Sequence, residues 1–550
     1  MCYNNSELHK LGVRVIKPHK ESHTILKGTL LLTVSALIIK VLSAFYRIPF
    51  QNIVGDVGFY IYQQAYPFYG MALVLCTYGF PVIISKLYIE KMSVKDVQGA
   101  KKLIVTSSLL LSLIGVILFV ALFYGAPYIA SFMQDPHIAL LLKAISFIFL
   151  LFPVLSILRG VFQGSGDMKP TAISQVSEQF IRVSTILMVA FALRNEDLYT
   201  VGAGAMFGSI VGGLVAVFVL LFYFKKRQKN FPVFFQKTSI PSWSEAKGLI
   251  KILCIQGFAI SVSSMLLLFI QLADSLNLYS LLLKIMTNEH AAKEIKGIYD
   301  RGVPLIQLGT VVATSMSLSL VPIISSEKVK KNMRVLHDRI RLSLLISIMV
   351  GLGASIGLLS IIEPTNIFLF QNSEGSSILA MQSTIILLSS LIITLCAVLQ
   401  GLGQIVFPAI TIVLGCLLKY LFNMYFVPLF GAYGAVFASV LSLVIISILL
   451  FVVLLTRVKG EIIKGKELIK VAVAALIMFL VLKGYQWLID HLLNEPSRFE
   501  AGLEAMVGVI LGGLSYLIVI LRLYTFKESE LSLLPLGSKL IQLLPKKNRS

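Results

Sequence analysis

The sequence QGSGDMKPTAI at residues 163–173 returns as QGLGQIVFPAI at residues 400–410. A second echo follows each copy at a similar distance, because GAMFGSI at residues 204–210 returns as GAVFASV at residues 434–440. Each copy occupies the same place within a run of six long apolar segments. A bundle duplicated in the same order is typical of transporters that bind their substrate between the two halves.

The composition places the chain in a membrane. Of its 550 residues, 57% are hydrophobic and only 14% are charged, and the mean hydropathy is +0.87. The apolar runs are near the roughly 20 residues that a helix needs to cross a bilayer, and they are too long for the strands of a barrel. We therefore predict an all-α integral membrane protein with about fourteen spans. The predicted spans are 27–50, 58–86, 103–124, 138–158, 171–193, 201–224, 249–272, 302–324, 341–362, 378–400, 405–426, 433–456, 469–489 and 503–523.

The net charge of +21 indicates topology. With these spans, most of the 48 Lys and Arg residues fall on the same side as the N-terminal tail. By the positive-inside rule that side is the cytoplasm, and an even number of spans leaves both termini there. Because the basic residues lie in short loops, we expect contact with anionic membrane lipids and no binding of nucleic acid.

The duplication divides the chain. The two repeats should form lobes related by an axis along the membrane normal, and a monomer is expected. The predicted segments are a basic cytosolic tail at 1–26, a first lobe at 27–224, a cytosolic linker at 225–248, a second lobe at 249–456, two extra spans within 457–524 and a basic cytosolic tail at 525–550.

Signals of enzymatic or cofactor chemistry are weak. The five cysteines show no metal-binding spacing, and four of them lie within spans, so we expect free thiols. No P-loop, nucleophile elbow or H-E-x-x-H motif occurs in a plausible context. The sequence therefore predicts a protein without catalytic residues, metal or cofactor, which would draw energy from a gradient or the membrane potential.

Polar and basic residues share one face of the first predicted span. They are Thr29, Thr33, Lys40, Ser43 and Arg47, at helical spacing. A cation near the bilayer centre costs at least about 2.5 kcal/mol on insertion scales, so this face should contact protein or water. We interpret it as a cationic wall for an anionic substrate; the alternative is that the two cations are paired or reach the lipid headgroups.

The eighth predicted span begins with a similar stripe. Asp300 and Arg301 stand at its outer end, and Gln307 and Thr314 follow Asp300 at seven-residue steps. We expect Arg301 to lie across the two-fold axis from the first span, so that Lys40, Arg47 and Arg301 converge on one cavity between the lobes; the alternative is an interfacial ion pair.

Three other features favour structural roles or stay open. Glu178 and Arg182 stand four residues apart in the order that favours an ion pair on one helix. The tyrosines of the second span, at positions 62, 66 and 69, are typical of a membrane-interface belt, although tyrosines also stack on sugars. Lys419 is a lone cation within the eleventh span, and we keep it as a candidate substrate-binding residue.

Several stretches resemble a known family. The sequence RGVFQGSGDMKPTA at residues 159–172, the sequence GIYDRG at residues 297–302 and the opening LKGT at residues 26–29 are similar to the polysaccharide-exporter branch of the multidrug/oligosaccharidyl-lipid/polysaccharide flippase superfamily. This branch includes the stage V sporulation protein B type and the Gram-positive lipid II flippases. The resemblance covers roughly residues 25–525.

The resemblance implies a flippase with a central cavity that opens alternately to each side of the cytoplasmic membrane of a bacterium. Its cargo would be a lipid-linked glycan, with Arg47 and Arg301 matching the arginines that bind pyrophosphate in similar proteins and Lys40 at a position where relatives carry a cation. A cation-coupled multidrug exporter of the same superfamily and a polytopic glycan transferase are the alternatives. The exporter would need buried acids, and the transferase would need larger outer loops.

Overall fold

The computed structural model describes residues 18–228, 231–234, 242–329, 333–458, 462–492 and 497–523. Every α-helix in these ranges is numbered here in chain order. The helices are α1 (Pro18–Phe45), α2 (Arg47–Val74), α3 (Phe80–Ser93), α4 (Val97–Phe132), α5 (Ile138–Ser146), α6 (Ile148–Gly164), α7 (Met168–Ala192), α8 (Leu198–Lys226), α9 (Trp243–Ile252), α10 (Phe258–Ser263), α11 (Leu266–Met286), α12 (Glu289–Asp300), α13 (Gly302–Gly309), α14 (Val311–Val329), α15 (Met333–Ser360), α16 (Ile362–Phe370), α17 (Ser376–Gln382), α18 (Thr384–Gly401), α19 (Val406–Phe430), α20 (Ala432–Arg457), α21 (Gly465–Leu492) and α22 (Arg498–Arg522). The predicted all-α architecture is confirmed.

In the described part of the chain, twelve helical stretches are long and apolar enough to cross a membrane. One of them, Val34–Ser93, covers the first two predicted spans, whereas the predicted span 249–272 corresponds to two stretches, Trp243–Ser263 and Leu266–Met286. The predicted spans 171–193 and 302–324 lie on helices that are not among the twelve. A multi-pass membrane protein is thus confirmed, and the count of fourteen stays a prediction.

The duplicated motif ends a helix in the same way in both halves. After α6, the backbone N–H groups of residues 165, 166 and 167 donate to the carbonyls of residues 161, 163 and 162. After α18, residues 402, 403 and 404 donate to residues 398, 400 and 399. Gly166 and Gly403 take positive φ values of 79° and 83°, which only glycine adopts without strain. The repeated sequence is therefore a repeated helix cap.

The first glycine of each motif allows close helix packing. A Cβ atom at Gly164 would lie 3.0 Å from the Ser85 carbonyl oxygen on α3. A Cβ atom at Gly401 would lie 3.2 Å from the Val321 carbonyl oxygen on α14. In each half, the helix that ends in the motif thus packs closely against one earlier helix of that half. The two pairs are α6 with α3 and α18 with α14.

Several predicted spans are interrupted. The first span does not continue to residue 50, because α1 ends at Phe45 and α2 begins at Arg47. Within α2, Gly55 leaves helical geometry with φ 69°, and a π-helical turn at Leu75–Gly79 separates α2 from α3. In the region of the predicted seventh span, α9 to α11 continue to Met286 and are interrupted by a π-helical turn at Leu253–Gly257 and by a break between Ser263 and Leu266.

The first helix lies between the two halves. Along its length α1 packs against α7 of the first half and against α13 and α14 of the second half. The C-terminal pair α21 and α22 packs on α15 and α16, outside the duplicated helices. The polar face of α1 is therefore placed where both halves can supply partners to it.

Candidate functional site

Six basic side chains are buried in the described part of the protein, and they fall into two groups. Four form ion pairs with carboxylates: Arg159 with Glu178, Lys296 with Asp300, Arg301 with Asp56 and Lys419 with Asp274. The other two, Arg47 and Arg182, have no carboxylate within ion-pair distance among the described residues. A buried cation without a counter-charge is costly, so these two arginines mark the candidate site.

Arg182 lies on α7 with its side chain fully buried. One Nη atom donates to the Tyr46 hydroxyl at 2.6 Å, and the other donates to Gln179 Oε1 at 3.0 Å and to the Tyr69 hydroxyl at 3.3 Å. Its Nε atom has no hydrogen-bond partner. The guanidinium is also 4.4 Å from the centre of the Tyr69 ring. Neutral oxygens and an aromatic face therefore surround this charge, and none of them neutralises it.

Arg47 begins α2 and is also fully buried. One Nη atom donates to Gln307 Oε1 of α13 at 2.8 Å, while Nε and the second Nη atom have no partner. The guanidinium lies 4.2 Å from the centre of the Tyr66 ring, a cation–π contact. Arg47 therefore holds two N–H-bearing atoms available for a ligand, and its one side-chain hydrogen bond reaches the second half of the protein.

Four buried tyrosines surround the two arginines. Tyr62 and Tyr66 come from α2, where Tyr69 continues the same face, and Tyr46 lies in the turn before it. The hydroxyls of Tyr46 and Tyr62 are 2.8 Å apart. The interpretation of the second-span tyrosines as an interface belt is wrong, because these side chains are at most 4% exposed. The arginine–tyrosine site is defined here as Arg47, Arg182, Tyr46, Tyr62, Tyr66 and Tyr69.

The two polar stripes predicted on the first and eighth spans face each other. Lys40 Nζ of the first stripe donates to Thr314 Oγ1 of the second stripe at 2.9 Å. Arg47 donates to Gln307 across the same contact. Ser43 lies near Tyr66 of the arginine–tyrosine site. Both hydrogen bonds connect the first half to the second. The side chain of Thr33 lies outside the described residues.

Arg301 does not join this site. Its guanidinium forms a bidentate pair with Asp56 of α2, at 2.8 Å from Nε and 2.5 Å from Nη2. The remaining Nη1 donates to Asn366 Oδ1 at 3.2 Å and to Asn372 Oδ1 at 2.7 Å. Arg301 is thus fully paired, and the convergence of Lys40, Arg47 and Arg301 on one cavity stays a prediction. Arg301 instead connects the two halves.

Two other candidate residues are also paired. Asp300 accepts from Lys296 Nζ at 2.6 Å, one turn earlier on α12. Lys419 is not a lone cation, because its Nζ lies 2.8 Å from Asp274 Oδ1 and donates to Asn423 Oδ1 at 2.9 Å. Asp300 thus has its counter-charge on its own helix, whereas Lys419 takes its counter-charge from α11, which the spacing within a single span could not reveal.

The predicted ion pair between Glu178 and Arg182 is wrong. Glu178 accepts instead from Arg159 of α6 at 2.6 Å, and that arginine also donates to the Cys76 carbonyl of the π-helical turn. Because Glu178 pairs with Arg159 of another helix, it does not pair with Arg182, whose guanidinium binds tyrosine hydroxyls instead. The available signal is Arg159 itself, a further cation four residues before the duplicated motif.

The described residues include no group of three or more His, Cys, Asp or Glu side chains close enough to hold a metal ion. In the same part of the chain, the cysteines at 76, 254, 396 and 416 are free thiols, as expected. What the site offers chemically is a set of cationic N–H donors and tyrosine hydroxyls. Such a set binds an anion with several oxygens, and phosphate groups fit it best.

The chain matches several known proteins over most of its length. Residues 25–327 match the family described as polysaccharide biosynthesis protein. An uncharacterised membrane protein of Bacillus subtilis (strain 168), YabM, is 43% identical over 96% of this chain and 98% of its own. Lipid II flippase MurJ of the same organism is 25% identical over 90% and 95%, and its stage V sporulation protein B is 26% identical over 94% and 99%.

Solved structures share the fold. Lipid II flippase MurJ in an inward closed conformation aligns with a TM-score of 0.65, covering 90% of this chain and 99% of that one at 16% identity. An inward-facing multidrug resistance transporter of the MATE family, from the MOP superfamily, aligns with a TM-score of 0.63, covering 78% and 98% at 16% identity. The fold of this protein is that of the MOP superfamily.

Proposed function

Since this chain belongs to the family of polysaccharide biosynthesis proteins, we propose that it is a flippase for a lipid-linked oligosaccharide. The cargo would be a glycan carried on a polyprenyl pyrophosphate such as undecaprenyl pyrophosphate, moved from the inner to the outer leaflet without chemical change. One relative supports this proposal by name, lipid II flippase MurJ, which aligns with 90% of this chain. The protein would act by alternating access and would not be an enzyme.

The observation that carries the proposal is the pair of buried arginines without counter-charges. A pyrophosphate presents several anionic oxygens in a small volume, and guanidinium groups bind such oxygens with charge-assisted hydrogen bonds. Arg47 Nε and Nη2 and Arg182 Nε are the unpartnered donors that it would meet. Its negative charge would replace the missing carboxylates, so that binding relieves the desolvation cost of both cations.

The arrangement of the halves supports alternating access. We take residues 27–224 and 249–456 as two lobes that move relative to each other, with both termini in the cytoplasm as the charge distribution indicates. Lys40 and Arg47 each donate a hydrogen bond to the second half, and the Arg301–Asp56 pair also joins the halves. Bound cargo would compete for the donors of Lys40 and Arg47, while the Arg301–Asp56 pair would break when the outer side opens.

A cation-coupled drug exporter of the same fold is the second candidate, and the site argues against it. A cationic drug would need buried carboxylates without partners. The buried carboxylates of Glu178, Asp274 and Asp300 are each bound to a basic side chain. That of Asp135 accepts hydrogen bonds from two tyrosines. Glu504 is buried without an ion pair among the described residues, but it lies on α22, outside the duplicated helices. The unpaired charges of the arginine–tyrosine site are positive, which favours an anionic cargo.

The test is translocation in vesicles that contain the purified protein and a fluorescent lipid-linked oligosaccharide. We expect Arg47→Met with Arg182→Met to abolish translocation, while Lys483→Met, an exposed lysine bonded only to Gln486 in its own helix, should leave it unchanged. A membrane potential imposed or collapsed across the vesicle would show whether the voltage drives transport. Full activity in the double variant would contradict the anionic-cargo mechanism and favour the drug exporter.

A further inference from the structure

Several polar atoms near a proline in the middle of α2 have no hydrogen-bond partner. Pro67 has no N–H, so the Gln63 carbonyl lacks the donor that a helix normally supplies four residues later. The side chain of Gln63 is only 4% exposed, yet both its Oε1 and its Nε2 have no hydrogen-bond partner. Buried amides are rarely left in this state, because an unsatisfied polar group costs about 1–3 kcal/mol. A ligand that supplies the missing bonds would explain the arrangement.

Two further glutamines extend this set across the contact between α2 and α11. Gln64 donates to the Ser275 carbonyl at 3.1 Å, while its own Oε1 has no partner. A Cβ atom at Gly70 would meet Leu268, so the contact continues along both helices. Gln271 lies between Leu268 and Ser275, one turn from the latter, and its Oε1 is also buried without a partner. Gln63, Gln64 and Gln271 are called the glutamine cluster here.

The glutamine cluster adjoins the arginine–tyrosine site on the same helix. Gln63 follows Tyr62 and precedes Tyr66 by less than one turn, so its side chain leaves α2 about 100° around the axis from Tyr62. Tyr66 is the residue on which the Arg47 guanidinium rests, 4.2 Å from the ring centre. Gln63 therefore lies within one turn of two tyrosines of the arginine–tyrosine site along α2.

The chemistry of the cluster selects an uncharged ligand rich in hydroxyl groups. It presents amide oxygens and an amide N–H, and it contains no carboxylate. A metal cation is disfavoured there because two buried arginines without counter-charges stand beside it. Sugar hydroxyls and N-acetyl groups both donate and accept hydrogen bonds, which matches amide side chains. We propose that the glutamine cluster binds the sugar unit that is attached directly to the pyrophosphate of the cargo. This inference rests on the proposed function.

The experiment compares two probes on the purified full-length protein in detergent. One probe is a polyprenyl pyrophosphate, and the other is the same lipid carrying a single N-acetylated hexose on the pyrophosphate. The variant is Gln63→Met with Gln271→Met, which keeps side-chain length and removes unsatisfied polar atoms, so folding should not suffer. The matched control is Gln382→Met, whose Oε1 is also buried and unpartnered but whose amide donates to the Tyr299 carbonyl, away from the cluster.

We expect the wild type and the control to bind the sugar-bearing lipid more tightly than the bare one. In the glutamine variant, affinity for the sugar-bearing lipid should fall by about tenfold or more, and affinity for the bare lipid should stay the same. Equal losses for both lipids would overturn the inference by showing a general effect on the arginines. Unchanged binding of both would overturn it by showing that the cluster holds only water. If the wild type binds neither lipid, the proposed function itself has failed.

Discussion

Replacing Arg182 and Arg159 one at a time should have opposite consequences for stability and function, although both side chains are fully buried and both belong to the first half. Arg159→Met leaves the carboxylate of Glu178 buried without the cation that now lies 2.6 Å away. Breaking a buried pair in this way costs about 3–5 kcal/mol. Arg182→Met removes three hydrogen bonds to neutral oxygens but leaves no buried carboxylate unpaired. It also removes the desolvation cost of an unpaired cation, which offsets part of that loss, so the net destabilisation should be small beside that of Arg159→Met.

The assay can use a thiol in the other half of the protein. Cys396 is 3% exposed and becomes reactive only when the second half opens. With the other four cysteines replaced by serine, a fluorogenic maleimide reports unfolding as the temperature rises. We expect Arg159→Met to unfold at a clearly lower temperature and Arg182→Met to unfold close to the wild type. Equal destabilisation by both substitutions would refute the reasoning, because Arg182 would then be a structural residue like Arg159.

The same variants separate stability from ligand binding. A polyprenyl pyrophosphate should raise the unfolding temperature of the wild type, since a ligand that binds only the folded state stabilises it. In Arg182→Met the affinity should fall roughly 10- to 100-fold, and most of this ligand-induced shift should disappear. Arg182→Lys should recover part of the affinity, because an ammonium keeps the charge but loses the planar fork of donors. A full shift in Arg182→Met would remove this residue from the binding site.

Three further predictions follow from single contacts. Asp56→Ala removes the carboxylate that binds Arg301 and should favour opening between the halves. Opening would be measured as a longer distance between spin labels at the outer ends of α2 and α12. An unchanged distance would show that the Arg301–Asp56 pair does not hold the two halves together. Gly166→Ala places a Cβ at φ 79° and should lower the free energy of unfolding by about 1 kcal/mol. Gly513→Ala, within a helix and with open space around it, should be neutral or stabilising. Equal effects of the two substitutions on the unfolding temperature would contradict the role of Gly166 in the helix cap. Lys419→Met leaves the buried carboxylate of Asp274 unpaired and should destabilise the protein by about 3–5 kcal/mol. Adding Asp274→Asn should restore part of the lost stability in the same thermal assay.

The fold could be predicted from the sequence because its signals are local or repeated. Apolar runs of membrane-spanning length indicated the helices, and the duplicated motif at 163–173 and 400–410 is a helix cap whose hydrogen bonds recur in both halves. The interruptions could not be predicted in the same way. A π-helical turn or a break such as that at Gly55 depends on how neighbouring helices press on the backbone, and a hydrophobic pattern does not record that pressure.

The candidate site was only partly predictable for a similar reason. The stripes on the first and eighth spans were visible, and their contacts, Lys40 to Thr314 and Arg47 to Gln307, follow from two helices facing each other. Arg182 was assigned to a local pair because an acid stands four residues before it. Which of several buried cations keeps a counter-charge depends on tertiary partners, and Arg159 decides it here by taking Glu178. Spacing along one helix carries no information about that competition.

The positions of the unpaired charges suggest how binding and movement are linked. The four buried ion pairs need no ligand, because each cation already has its carboxylate. Arg47 lies instead where α1 and α2 meet the second half, and Arg182 of α7 lies beside the same Tyr66 ring. The hydrogen bonds of Lys40 and Arg47 to the second half end on neutral groups. An anion that enters the site offers these donors stronger acceptors than a threonine hydroxyl or a glutamine amide. We therefore infer that cargo binding weakens the contacts that join the halves at the same moment that it neutralises the arginines. A charge left unpaired in the resting protein would in this way lower the barrier to the movement that carries the cargo.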